Sequence, residues 1–192
     1  MKFDFVVLGA TGIQGRIATR DLIESGYSVC MCGRDISRVE RLLKKYKKKT
    51  CFEYVDLTDI NHTVKVIKKS GARVVLNCAE GDQDLNSLKA CIKAGVNSID
   101  LGSDIPMTRQ QLALNKTLKK ARLIHITGCG SVPGIGNAML NYADGKFDKI
   151  DTVEVGFAWN SNMKVFVVPF SIESILEEFT MHAPYIHNHK MR

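Results

Sequence analysis

Three short segments set small residues beside polar or charged ones, each directly after an apolar run. The first is Gly9-Ala10-Thr11-Gly12-Ile13-Gln14-Gly15, which follows Val6-Val7-Leu8 and opens a helical pattern. GxxGxxG spacing in that setting suits a phosphate cradle. Gly9 serves the tight turn, Gly12 the close approach of backbone to a pyrophosphate, and Gly15 close helix–strand packing. The helix N-terminus adds unpaired N–H groups and a partial positive charge.

The second segment is Gly33-Arg34-Asp35. Arg34 lies 19 residues past Gly15, near the offset at which an adenosine ribose is recognised. A guanidinium there pairs bidentately with a 2′-phosphate, so NADP is expected ahead of NAD. Asp35 has two readings, as a ligand of the ribose hydroxyls or as a cap on the next helix. Asp56, in Val55-Asp56-Leu57, is expected beside the adenine or as a turn residue. The third segment is Gly128-Cys129-Gly130-Ser131-Val132-Pro133-Gly134. Pro133 there suits the first turn of a helix, and the loop falls at the carboxyl edge where open α/β sheets bind ligands.

Six apolar runs must position these loops: residues 3–8, 27–32, 50–55, 73–78, 98–101 and 123–127. Their near-continuous hydrophobicity is that of strands covered on both faces. Helical patterns lie between them. Val39, Leu42, Leu43 and Tyr46 share one face, opened by Ser37 with Glu40 as a capping box. Ile60, Val64 and Ile67 form another such face, as do Leu85, Leu88 and Ile92. The alternation predicts an α/β fold of Rossmann type, a doubly wound parallel sheet with right-handed crossovers.

That domain is expected over residues 1–148, with the start of a second α/β domain over 149–192. In the second part, residues 152–159 and 164–168 read as a hairpin. Ile172, Ile175, Leu176 and Phe179 read as a helix face capped by Ser171.

Composition narrows the function. The chain has 192 residues, 45% hydrophobic and 24% charged, with a net charge of +7. No run reaches the ~18–20 apolar residues of a membrane span, and residues 1–8 are too short for a signal peptide. The six cysteines contain no CxxC pair, which fits reduced thiols in the cytoplasm and no metal site. The lysine run 44–49 falls where a helix should end, so it offsets the helix dipole and does not mark a nucleic-acid site. Tyr142 and Lys146 spell Tyr-x-x-x-Lys with Ser131 eleven residues earlier. Gly145 ends that helix, however, and places the pair turns away from the ligand edge. His125 reads as a core or strand-end residue, His182, His187 and His189 as tail residues, and no carboxylates pair for acid–base work.

The Gly-Ala-Thr-Gly-x-x-Gly-Arg opening at 9–16 and Gly33-Arg34-Asp35 with Ser37-Arg38-Val39-Glu40 resemble the saccharopine dehydrogenase-like NAD(P) oxidoreductases. Ser98-Ile99-Asp100-Leu101 and Gly128-Cys129-Gly130…Pro133-Gly134…Asn137 extend that resemblance over roughly residues 3–180. It implies hydride transfer, with a nicotinamide cofactor, to or from an imine or carbonyl of a small substrate such as an amino or keto acid. Carried over by position, Gly9, Thr11, Gly12, Ile13, Gln14, Gly15, Arg34 and Asp56 hold the dinucleotide. Cys78 and Ala79 border its nicotinamide half, and the loop with Gly130 and Pro133 faces the reacting centre. Val132 stands where many members carry an acidic residue, and an apolar side chain relays no proton. The family's larger catalytic domain is expected to continue past Arg192. The alternative is therefore a non-catalytic NADP-binding sensor or partner module, and exposed apolar faces of the second part are expected to drive self-association.

Overall fold

Short strands and amphipathic helices alternate along the chain, and the first two strands are apolar because they are buried on both faces. The computed structural model describes residues 2–79, 81–154, 164, 172–180, 186, 187, 190 and 191. The chain divides into two compact units, Met1–Val153 and Glu154–Arg192. In the first, β1 (Phe5–Leu8), β2 (Val29–Gly33), β3 (Thr50–Tyr54), β4 (Val74–Asn77), β5 (Asn97–Asp100) and β6 (His125–Ile126) form one sheet. All its pairs are parallel and its order is β3-β2-β1-β4-β5-β6. This is a Rossmann-type sheet, as expected.

The strand pattern sorts the core into two layers. Val6, Leu8, Cys30, Cys32 and Val75 join Val66 and Ile67 of α3 (Ile60–Ser70) and Cys91 of α4 (Asp84–Ala94). Val7, Val29 and Met31 point the other way and meet Ile23 of α1 (Ile13–Glu24) and Leu42 and Leu43 of α2 (Glu40–Lys45). Burying each such side chain contributes roughly 1.5–3 kcal/mol. α5 (Ile105–Ala113), α6 (Asn115–Ala121) and α7 (Ile135–Asp144) complete the unit. Strand order reverses between β1 and β4, so their carboxyl ends diverge into a crevice.

Three local expectations are corrected. Ser37 and Glu40 do not form a capping box. Asp35 caps a 3-10 turn over Ile36–Val39 by accepting from the Ser37 N–H, and α2 begins afterwards, at Glu40. Pro133 is not in the first turn of α7. The loop folds back through a Gly130–Gly134 bridge, Gly134 is the N-cap at φ +130°, and Asn137 Oδ1 accepts its N–H at 2.9 Å. The sixth strand is only two residues long, because the residues after Ile126 turn towards β5 for their partners.

In the second unit, α8 (Ile172–Thr180) forms as expected and the two-residue strands β7 (Ile186–His187) and β8 (Lys190–Met191) pair antiparallel. Ile172, Leu176 and Phe179 are exposed. Of the expected hairpin only residues 152–154 and 164 are described, and none of them is in a strand; the rest of it, Ser171, His182 and His189 lie outside the described residues. Among the described residues no helix is long and apolar enough to cross a membrane, and no cluster has the makings of a metal site.

Candidate dinucleotide site and the cavity beside it

The first glycine segment forms the β1–α1 turn at the crevice. Gly9 has φ +70°, and a side-chain carbon there would sit 2.6 Å from the Ala79 amide nitrogen. The turn therefore presses on the end of β4, where the Cys78 N–H donates to Leu8 O at 2.9 Å. Gly15 is buried, and a side-chain carbon there would overlap Gly9 O and lie 2.8 Å from Ala10 Cα. Gly12 differs. Its added carbon would meet only Gly9 O, at 3.2 Å, with open space otherwise.

α1, like α2, α4 and α6, starts without a side-chain cap. Asp59 caps α3 and Asp104 caps α5, each through its side chain. Gly12 is the N-cap of α1 and no side chain bonds there. The first-turn N–H groups of Ile13, Gln14 and Gly15 have no intrahelical acceptor, an arrangement that suits an anion. Thr11 stands at the same turn, and its side chain packs on Gly33.

At the tip of β2, Arg34 is exposed and makes no salt bridge among the described residues. The Thr58 N–H and hydroxyl, both donating to Asp56 Oδ1, hold that carboxyl below its usual range, and the Arg34 charge adds to the effect. Asp56 is thus a turn residue with Oδ2 still open and a cation beside it. Asp35 is engaged at both oxygens, Oδ1 by Ser37 and Oδ2 by Arg38 at 3.3 Å. Those bonds, Ser37 first, lower its pKa.

The third segment walls a cavity of about 560 Å³ that includes Thr127, Cys129, Gly130, Pro133, Ile135 and Asn137. Among the described residues no carboxylate, histidine or lysine lines it. Val132, in the same loop, is exposed. Cys129 is exposed too, whereas Cys30, Cys32 and Cys91 are buried and Cys51 and Cys78 half-buried; all six are free. Burial pushes the Cys78 thiol up to about 12, so it is no nucleophile at neutral pH. Tyr142 is exposed on α7, which ends at Asp144, and Lys146 Nζ lies 5.3 Å from its ring centroid.

Behind the cavity lies a buried polar cluster that no sequence motif announces. Asp100, at the end of β5, is 1% exposed. Its Oδ1 accepts from the Gly128 N–H at 2.9 Å and the Gly102 N–H at 3.1 Å. Its Oδ2 accepts from Gln111 Nε2 at 2.6 Å and faces His125 Nε2 at 3.2 Å. The Thr127 hydroxyl lies between Asp100 Oδ1 (3.1 Å) and Gln111 Oε1 (2.9 Å) and donates to one of them. Burial raises the Asp100 pKa, but the bonds from His125, Gly128, Gln111 and Gly102 outweigh it and hold it at about 2. Asp84, 2% exposed at the start of α4, accepts from Asn77 Nδ2 at 2.7 Å. Burial first, and then the charge of Asp100, push Asp84 up to about 7.

Ser98 Oγ sits 2.8 Å from His125 Nδ1, completing a Ser–His–Asp connectivity. Ser98 is only 3% exposed, inside the sheet. No acyl substrate reaches it, so the arrangement is structural. The signal available for the cluster was a polar residue at the end of two strands, Asn77 after Val74-Val75-Leu76 and Asp100 after Ile99.

Comparison with known proteins agrees with the Rossmann-type fold. The family model described as the saccharopine dehydrogenase NADP binding domain matches residues 5–132. Carboxyaminopropylagmatine dehydrogenase of Synechocystis is 26% identical over an alignment that covers 94% of this chain. The chain spans about half (48%) of that relative's length. Among solved structures, saccharopine dehydrogenase (L-Glu forming) from Saccharomyces cerevisiae superposes with a TM-score of 0.60 at 20% identity. That match covers 74% of this chain and 31% of the yeast chain. AtPrR2, solved with NADP+ and (+)pinoresinol, gives a TM-score of 0.51 at 20% identity, covering 66% and 49% of the two chains. Both structures share the fold.

Proposed function

The chain belongs to the saccharopine dehydrogenase NADP-binding domain family, and we propose from that premise that it serves an NADP-dependent oxidoreductase acting on a small imine or carbonyl substrate. The observation that carries the reading is the N-terminus of α1, left without a side-chain cap at the point where strand order reverses. In this reading the turn with Gly9, Thr11, Gly12 and Gly15 and the N–H groups of Ile13 and Gln14 hold the pyrophosphate. Arg34 takes the 2′-phosphate and Asp56 flanks the adenosine. Asp35 keeps its carboxylate on the 3-10 turn and fixes the backbone beside Arg34. Cys78 and Ala79 border the nicotinamide half, and Gly130 and Pro133 wall the substrate side. The bound cofactor supplies the hydride; the chain's own residues orient it and shape the cavity.

A second reading has its own support. Among the described residues the cavity wall holds no acid or base, and the loop carries the exposed Val132. A chain built this way binds and aligns NADP without moving protons itself, as a sensor or partner module would.

The cofactor assignment is tested by comparing NADPH and NADH affinity in the protein and in Arg34→Ala. A lost charge-assisted phosphate pair is worth ~1.5–3 kcal/mol, so NADPH affinity should fall roughly 10- to 100-fold. NADH affinity should hardly change. Equal losses for both nucleotides would remove Arg34 from the 2′-phosphate site.

A further inference from the structure

We propose that the Asp84–Asp100 carboxylate pair is a proton-dependent latch on the loop that walls the cavity, with Asp100 as its positioning residue. Both carboxylates are buried, and they meet across Gly102. A side-chain carbon at Gly102 would overlap Asp84 Oδ2 and lie 3.4 Å from Asp100 Oδ1. Two negative charges this close in a dry setting repel strongly, so one of the two groups keeps a proton. The hydrogen bonds decide which. Asp100 is surrounded by N–H donors from Gly102, Gln111 and Gly128 and faces His125, whereas among the described residues one donor, Asn77 Nδ2, reaches Asp84. Asp100 is therefore the ionised member and Asp84 the protonated one.

The charges acting most strongly on Asp84 favour the same outcome. Asp100 on β5 is followed by Asp82 before α4 and Asp104 before α5, all negative. β4 presents the neutral Asn77, and α5, packed on α4, carries Arg109 and the neutral Gln111.

Ionised Asp100 grips the loop at successive residues. Its Oδ1 takes the Gly128 N–H, and its carbonyl oxygen takes the Cys129 N–H at 2.8 Å. Loss of the Asp84 proton sets a second charge against Asp100 and weakens that grip. The loop should loosen as pH rises through neutrality.

The latch concerns the substrate side of the proposed site. Its test needs neither nucleotide nor substrate, so it holds or fails independently of NADP binding. Amide hydrogen exchange of residues 127–134 is followed from about pH 6 to about pH 8.5, corrected for the intrinsic rate and referred to α3. In the unmodified protein, loop protection should fall roughly tenfold relative to α3. Asp84→Asn keeps the acceptor for Asn77 and cannot ionise, so its loop protection should stay high and flat. Asp100→Asn should show low protection at every pH. Protection that tracks α3 in the unmodified protein overturns the latch, and so does an Asp84→Asn profile that repeats the unmodified fall. If Asp84→Asn does not fold, the unmodified profile alone decides in the same way.

Discussion

Gly12→Ala should remain folded and lose NADPH binding, whereas Gly15→Ala should lose stability itself. The two glycines lie one helical turn apart and do different work. A methyl group on Gly12 meets a single backbone oxygen at 3.2 Å and otherwise enters open space. That is the space a pyrophosphate needs, so the loss falls on affinity, by at least roughly 100-fold. A methyl group on Gly15 overlaps Gly9 O and crowds Ala10 Cα. Both neighbours are backbone and cannot swing aside. Overpacking of this kind should cost about 3 kcal/mol or more, or roughly 6–12 °C in melting temperature for a unit of this size. Thermal unfolding and nucleotide titration of both variants check the distinction. A Gly12→Ala protein that binds NADPH normally would take the pyrophosphate away from this turn.

Asp100→Ala should be the most damaging single change outside the glycine turn. It strips the acceptor from the N–H groups of Gly102 and Gly128 and from Gln111, and it leaves His125 facing an empty space. Breaking a buried charged network from one side costs ~3–5 kcal/mol. The pH dependence then separates the two carboxylates. Asp100 has its pKa lowered on folding, so its stabilising contribution is present above the ordinary carboxylate value, near 3.8, and lost as pH falls through about 2. Asp84 has its pKa raised. The folded protein holds a proton there that the unfolded chain has released, so stability falls as pH rises from near 3.8 through about 7. A shift of that size corresponds to up to about 4 kcal/mol. Asp84→Asn should therefore melt higher than the unmodified protein at about pH 8 and show a flatter profile between pH 4 and 7. A lower melting temperature for Asp84→Asn at about pH 8 would mean that the buried carboxylate stabilises the fold in its charged form.

The parts of this molecule that sequence reveals are those fixed by local pattern. β1 and β2 bury both faces and are apolar throughout, and all six expected runs became strands within two residues at each end. Gly9 and Gly15 announced their turn because no other side chain fits there. The Ser37 cap misled because Asp35, two residues earlier, satisfies the same N–H from a 3-10 turn, and both patterns satisfy the local rules. Pro133 misled because the Gly130–Gly134 bridge, which no local propensity encodes, delays the start of α7. The Asp84–Asp100 cluster escaped entirely. Its members come from α4, β5, α5 and the end of β6, and only the sheet order brings them together. Asp84 also reads along the chain as an ordinary first-turn acid.

The account rests on a dinucleotide seated at the β1–α1 turn, and one titration addresses that directly. Backbone amide spectra of the protein are recorded as NADPH is added. The amides of Gly12, Ile13 and Gln14 should shift along a single saturable curve, with Arg34 moving on the same curve and α6 unmoved. Saturating NADPH that leaves those amides in place, in a protein whose spectrum shows it folded, would contradict the account.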